Sequence, residues 1–412
     1  MRVKLSKGLL IYFNLSDPKG TRSPSDRSYN PELEIKKLLR KIHLYIGAVS
    51  GLIVFVEALT GALWVFKEEI TAWTDEQIVV TVKDTPVINP TTARTKAEEA
   101  VPGRAIHGVL YPMQDGRPIE MIFYESDPEF YYSLFLDPYS GAAIGHVNHR
   151  HGFFAFVLDG HLHLWLSPDV GKPIISYGTL LFLLSIVSGM VLWWPKNRKS
   201  SKQRFRFDWK ETTRWRRKNF DLHAVVGFYV AIFAFIFGVT GLVMALNWFS
   251  FMYYRGLGGD KEMAFIIPSN TSERVEMLGD MPAIDQLPKV LKEKFPTARD
   301  FEIHYPYADS VSIYVEVSYT DLVYYDSDYV FFDQRTLKEV STPSIYGKFE
   351  EASATDHLMR SNYDIHVGAI GGLPTKILAF LGSLIVASLP VTGGLLWLGR
   401  RHKKRKTVPV DA

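Results

Sequence analysis

Cysteine is absent from the 412 residues. Its absence excludes disulfides, thiolate zinc sites, iron–sulfur clusters and haem attached through C-x-x-C-H. Any bound metal or cofactor must be held by His, Met, Tyr, carboxylates or backbone. A strong net charge is also missing: 47 Lys/Arg against 44 Asp/Glu leaves +3, with no polycationic signature of nucleic-acid binding. No H-E-x-x-H, P-loop or G-x-S-x-G motif occurs. The glycines of "GLGGD" (256–260) lack the strand–turn–helix setting of a dinucleotide fingerprint. Residues 1–41 carry ten Lys/Arg and no long apolar run, so no cleaved signal peptide is expected, and the first apolar helix reads as an uncleaved anchor.

Long apolar segments are what the chain does have. Stretches at about 43–66, 174–195, 223–247 and 375–398 each exceed the roughly 20 residues that cross a hydrocarbon core of about 30 Å. Positive charge is concentrated between them. Residues 196–218 hold eleven Lys/Arg against two acids, and the tail "RRHKKRK" (400–406) is almost wholly basic. The positive-inside rule then predicts both termini and the 196–218 loop in the cytoplasm. The loops 67–173 and 248–373 are expected outside, in the periplasm of a bacterium. The basic loop sets topology, and it also suits anionic lipid or an acidic reductase.

The chain reads as one unit written twice. "HLYIGAVSGLIVFVEALTG" (43–61) matches "HAVVGFYVAIFAFIFGVTG" (223–241), each opening on His and closing on Thr-Gly. "SGMVLWWPKNRK" (188–199) matches "TGGLLWLGRRHK" (392–403). A short His-bearing stretch precedes each second helix: "DGHLHLWLSPDVGKP" (159–173) and "YDIHVGAIGGLP" (363–374). Each outer segment reads as a helix, "TTARTKAEEAV" or "AIDQLPKVLKEKF", followed by strand-like runs. The fold class is therefore a membrane α-helical bundle of four spans, built from two repeats, with two small α+β outer domains. The expected organisation is an N-terminal segment 1–42, helix 43–66, outer domain 67–158, interfacial segment and helix 159–195, basic loop 196–222, helix 223–247, outer domain 248–360, interfacial segment and helix 361–398, and basic tail 399–412.

This layout resembles the PepSY-associated transmembrane family of bacterial inner-membrane proteins. The resemblance rests on H-x-x-x-G with a later T-G in the first and third helices, L-H-x-x-L (162–166), I-H-x-G (365–368) and the G-x-x-L-W helix ends. It implies PepSY-like outer domains and, by likeness to iron-regulated members, reduction of ferric siderophores with haem b in the membrane.

Helix phase gives that implication a physical form. At 100° per residue, positions i+4 and i+18 share a face with i. His43, Gly47, Gly51 and Gly61 thus lie along one stripe, as do His223, Gly227 and Gly241. A haem needs an imidazole on iron and bare backbone where the macrocycle presses. His43 and His223 are expected to hold one haem b near the cytoplasmic side, with Gly47 and Gly227 beside it. Gly61 and Gly241 leave room for a second haem, two per chain, ligated by His163 and His366. His161 competes with His163; the L-H pattern and the alignment of Leu162-His163 with Ile365-His366 favour His163. The glycines read equally as helix-packing sites, Gly47 and Gly51 forming a G-x-x-x-G motif.

Glu57 is the carboxylate inside a membrane helix. It reads either as a proton or charge site or as a neutral acid bonded to a neighbouring helix. His146, His149 and His151 read as a metal site or as a solvated loop, and Arg150 and Arg360 as contacts for haem propionates. The tyrosines crowding the outer segments read as half-buried strand residues, with a ligand platform as the alternative. The reading is a transmembrane di-haem oxidoreductase that passes electrons to a periplasmic acceptor, a ferric siderophore. Its partners are membrane lipid and a separate donor, a cytoplasmic reductase or quinol, with no nucleic acid. Two alternatives stand beside it: a cofactor-free, membrane-anchored PepSY binding or regulatory module, and a haem subunit serving another enzyme.

Overall fold

The computed structural model describes residues 31–405 except 75–77, 127–128, 196–197, 272–281 and 321–322. Most of the basic N-terminal segment and the end of the basic tail lie outside the described residues. In chain order the helices are α1 (Pro31–Val65), α2 (Lys67–Thr74) and α3 (Pro90–Ala100), then, after four strands, α4 (Phe153–His163), α5 (Pro168–Trp193), α6 (Arg198–Phe205), α7 (Trp215–Asp221), α8 (Gly227–Ala245) and α9 (Asn247–Gly256). Then come α10 (Ala283–Lys294), four more strands, α11 (Ala354–Arg360), α12 (Asn362–His366) and α13 (Leu373–Arg405).

Among the described residues, four spans are long and apolar enough to cross a membrane: Glu34–Val65, Pro168–Trp193, Trp215–Ala245 and Leu373–Gly399. They begin up to nine residues earlier than the apolar runs alone suggest, because polar first turns extend the helices beyond the hydrocarbon-length segment. The packing runs around a ring in which α1 and α8 each touch both α5 and α13. Halfway along it, Val54, Val230, Ala234 and Val386 are buried together with Ala58, Phe182, Ile186, Phe233 and Leu389 packed around them. The bundle's middle layer is thus apolar. The third span is not a uniform α-helix: Leu222–Val226 forms one π-helical turn, and His223 lies in it. Such turns insert a residue and reset the side-chain phase.

The outer segments differ from the expectation of two separate domains. Strands β1 (Ile106–Pro112), β2 (Ile119–Ser126), β3 (Glu129–Leu136) and β4 (Ala143–Asn148) share one antiparallel sheet with β5 (Asp300–His304), β6 (Ile313–Ser318), β7 (Asp328–Phe332) and β8 (Glu339–Val340). The order is β4-β3-β2-β1-β5-β6-β7-β8. The seam is β1 against β5, with Val109 opposite Ile303 and Tyr111 opposite Phe301. One face of the sheet carries a single core from both halves. Ala93 and Ala97 of α3 and Leu287 and Leu291 of α10 cover Val109, Met121, Phe123, Ile303, Val315 and Val317, all buried. Each helix offers its pair at i and i+4, one face of one turn. Polar bonds cross the seam too: Thr91 N donates to Asp285 Oδ1 at 2.8 Å, and Arg117 Nη1 pairs with Asp300 at 2.8 Å.

Tyr324 N and Tyr325 N, in the β6–β7 connection, donate to Asp364 of α12, and the helices that lead into and out of the bundle are tied to one another. Lys376 of α13 donates to Glu69 of α2 at 2.6 Å. Tyr254 of α9 donates to Asp356 of α11 at 2.5 Å, and Asp356 closes a capping box with Ser353. Because the halves share one core, Ile303→Ala is expected to cost about 2–5 kcal/mol. Hydrogen exchange should then accelerate in β1–β4 as well as in β5–β8. Loss of protection confined to β5–β8 would contradict a shared core.

Candidate functional site: two facing histidine pairs

Two pairs of imidazoles meet inside the bundle. The rings of His43 (α1) and His223 (the π-turn) stand 6.3 Å apart between centroids, at 71°. The rings of His161 (α4) and His366 (α12) stand 6.1 Å apart, at 60°. Along α1, Gly61 lies eighteen residues beyond His43, about 27 Å at 1.5 Å per residue. Gly61 touches His161, so the pairs occupy opposite ends of the bundle with the apolar layer between them.

The four rings are held in the same way. Nδ1 of His43 lies 3.1 Å from Ser188 Oγ, and Nδ1 of His223 lies 2.9 Å from Thr392 Oγ1. Nδ1 of His161 lies 3.1 Å from Thr60 Oγ1, and Nδ1 of His366 lies 2.8 Å from Thr240 Oγ1. Each hydroxyl has one hydrogen, and each lies within donor reach of a carbonyl of its own helix. Ser188 reaches Ser185 O at 3.0 Å, Thr60 Val56 O at 2.6 Å, Thr240 Ile236 O at 2.7 Å and Thr392 Leu389 O at 3.0 Å. A hydroxyl that gives its hydrogen to its own helix accepts from the imidazole, which assigns the proton to Nδ1. Backbone carbonyls agree, since they only accept: Nδ1 of His43 donates to Ser185 O at 3.1 Å and that of His161 to Glu57 O at 3.0 Å. Each ring so assigned has its lone pair on Nε2, the form that ligates a metal.

The residue after each hydroxyl is glycine. A methyl carbon on Gly189 would stand 3.1 Å from Cε1 of His43, and on Gly393 3.3 Å from Cε1 of His223. On Gly61 it would stand 3.2 Å from Cε1 of His161, and on Gly241 3.4 Å from Cε1 of His366. A hydroxyl–glycine step thus seats every ring, the hydroxyl taking the proton and the glycine admitting the ring edge.

The partner of His366 is His161, which corrects the preference for His163. Two residues on a helix are about 200° apart, so only one of the two can face the bundle. His163 turns away at the end of α4, with Nδ1 donating to Asp159 at 2.9 Å and Nε2 buried without a hydrogen-bond partner. The following corner fixes this arrangement. Leu164 and Trp165 take φ of 55° and 56°, and a side chain on Gly171 would clash with the His163 backbone.

The glycine stripe is also corrected. Gly47 faces Ser185 Oγ at 3.7 Å, Gly51 faces Pro390 at 3.4 Å and Gly227 faces Leu389 at 3.6 Å. These are ordinary helix contacts, whereas Gly61 and Gly241 meet imidazoles. Ser188, Gly189, Thr392 and Gly393 escaped notice as site residues, although the matched helix ends "SGMVLWW" and "TGGLLWL" begin with them.

The remaining candidates are placed as follows. The Glu57 carboxylate accepts from Thr179 of α5 at 2.9 Å, while its backbone carbonyl accepts from His161. Arg150 pairs with Glu129 at 2.8 Å, away from both histidine pairs. Arg360 is buried, donates to the carbonyls of Gly347 and Ser327, and lies over the Tyr329 ring. His146 and His149 stack on different tyrosines, Tyr132 and Tyr131, and do not converge. Burial, with His161 next to it, pushes His366 down to about 3, and burial lowers His161 too. Both rings are therefore neutral near pH 7, as metal ligation requires.

A metal–nitrogen bond of about 2 Å puts two axial imidazole centroids roughly 6.3 Å apart. Both pairs, at 6.3 and 6.1 Å, have about that centroid separation. A family profile described as "PepSY-associated TM region" matches residues 40–400. The chain belongs to that family of multi-pass membrane proteins. No curated protein matches it.

The seats generate a steric prediction. Gly61→Ala and Gly189→Ala are expected to be less stable than Gly394→Ala by about 1–3 kcal/mol in thermal unfolding. Gly394 has open space around it, so its alanine variant serves as the control.

Proposed function

We propose that the protein is a two-repeat, di-haem b oxidoreductase of the bacterial cytoplasmic membrane that reduces ferric iron held in a siderophore on the periplasmic side. The observation that carries this reading is the presence of two imidazole pairs, one at each end of the bundle, both at the separation of axial ligands. His43 and His223 would hold one haem, and His161 and His366 the other. Bound there, each haem supplies a one-electron couple. The hydroxyl–glycine seats would fix the tautomer and ring angle, and Val54, Val230, Ala234 and Val386 form an apolar layer between the sites.

Positive charge around 196–218 supports placing that end in the cytoplasm and the sheet in the periplasm. The electron donor, a cytoplasmic reductase or quinol, is then separate, because the sequence carries no nucleotide motif. The acceptor side is the polar face of the sheet turned towards the bundle. Tyr131 there lies within electrostatic reach of Glu302, of Glu68 in α2 and of Tyr324, whose ring meets Tyr363 of α12. Adding one electron turns Fe(III) into Fe(II), a less highly charged ion that hard siderophore oxygens hold less well.

A pyridine haemochrome assay on detergent-purified protein is expected to give two b-type haems per chain. His366→Ala and His161→Ala should each lower the count to one and abolish most reduction of a ferric hydroxamate by the dithionite-reduced protein. His163→Ala should keep both haems. A chain with no Soret band would overturn the redox reading in favour of a binding module. Two haems without chelate reduction would point to a subunit serving another enzyme.

A further inference from the structure

Away from the histidine pairs, at the seam of the sheet, His107, Glu302 and His304 gather on the face opposite the α3/α10 core. One ligand atom from each lies within 4.8 Å of the others. We propose that these three side chains form a binding site for one divalent first-row transition ion of the Zn(II)/Fe(II) kind.

Three independent features build the site. The first is a bulge. The β1–β2 pairing shifts between Ile106 and Gly108, which breaks the alternation and brings His107 to the same side as His304. Bulges re-aim single side chains in this way and cluster at functional positions. The second is bare backbone. Gly108 sits opposite His304 across the seam, and a methyl carbon there would stand 3.3 Å from both Glu302 Oε1 and His304 Nδ1. Any side chain at 108 would fill the space above the carboxylate and the ring. The third is an unused nitrogen. His304 Nε2 is buried without a hydrogen bond, although Glu302 Oε1 is 3.2 Å away.

That spacing also suits two ligands of one ion. Bonds of about 2.0–2.1 Å in a tetrahedral shell put neighbouring ligand atoms about 3.3 Å apart. His304 is held flat on Tyr314, centroids 4.2 Å apart at 21°, so this ligand is preset. His107 is exposed and meets the His304 ring at 4.6 Å, so a small turn of its side chain closes the set and solvent provides the entry path. Two imidazoles with one carboxylate select zinc, iron or their neighbours over calcium and magnesium, which take oxygen ligands. Glu120 and Glu316, both within electrostatic reach of Glu302, add negative field around the cation.

Under the proposed function the ferrous product is the nearest source of such an ion. The site itself does not depend on that reading, and it uses none of the residues assigned to haem.

The test uses full-length detergent-purified protein with its haem content assayed in the same sample. Zn(II), which is redox-inert, is titrated calorimetrically and the bound metal counted by mass spectrometry after dialysis. The wild type should retain one equivalent, weakened at least 100-fold by His304→Ala, Glu302→Gln and the surface variant His107→Asn, at unchanged haem content. A His149→Ala control should bind as the wild type does. The proposal is overturned if the wild type retains no zinc at micromolar concentration. Equal retention by wild type and His107→Asn would overturn it as well, because the ion would then sit elsewhere.

Discussion

The structure depends on where one small proton goes. With the proton assigned to Nδ1, each of four half-buried imidazoles gives it to a hydroxyl that lies within reach of a carbonyl of its own helix. A donor buried without a partner costs about 1–3 kcal/mol, so a rotated ring would be penalised at all four places. Because the acceptor lies on a neighbouring helix, the same bond that orients the ring also sets helix register. His43 on α1 reads the position of α5, His223 that of α13, His161 that of α1, and His366 that of α8. The bonds fall into two equivalent sets, one in each half of the chain: α5, α1 and the short α4 in the first, α13, the third span and the short α12 in the second.

Much of this was legible in the sequence, and the failures have definite physical causes. Spans show themselves because membrane length is a local property of composition. The matching Thr-Gly ends were visible too, but what they receive was not, since each seats a ring from a distant helix. The ambiguity between His161 and His163 could not be resolved from spacing, because the answer is an orientation about the α4 axis, fixed by the left-handed corner at Leu164 and Trp165. The fused sheet was illegible for a similar reason. The β1–β5 pairing joins residues about 195 apart, and nothing in either strand names the other. His107 was hidden by a bulge that defeats the period-two reading of a strand.

The seam has a further role. A continuous sheet forces the two halves of the outer region to move together, while the bundle beneath pairs helices from both halves. Tyr324 and Tyr363 meet where the sheet's loops reach the bundle, their ring centroids 5.7 Å apart. The two halves of the chain therefore cannot separate without breaking both a common apolar core and the ring packing of the helices.

The apolar layer between the histidine pairs carries a consequence in electrical terms. Val54, Val230, Ala234 and Val386 offer no group that could pass a proton. Charge moved between the pairs on the proposed reading would then travel uncompensated and feel the membrane potential, about 2.3 kcal/mol for each 100 mV crossed. With the cytoplasm negative, that field pushes an electron outward. A cell could thus draw on its resting voltage to reduce an acceptor on the far side, and the rate of that reduction would rise and fall with how well the membrane is energised.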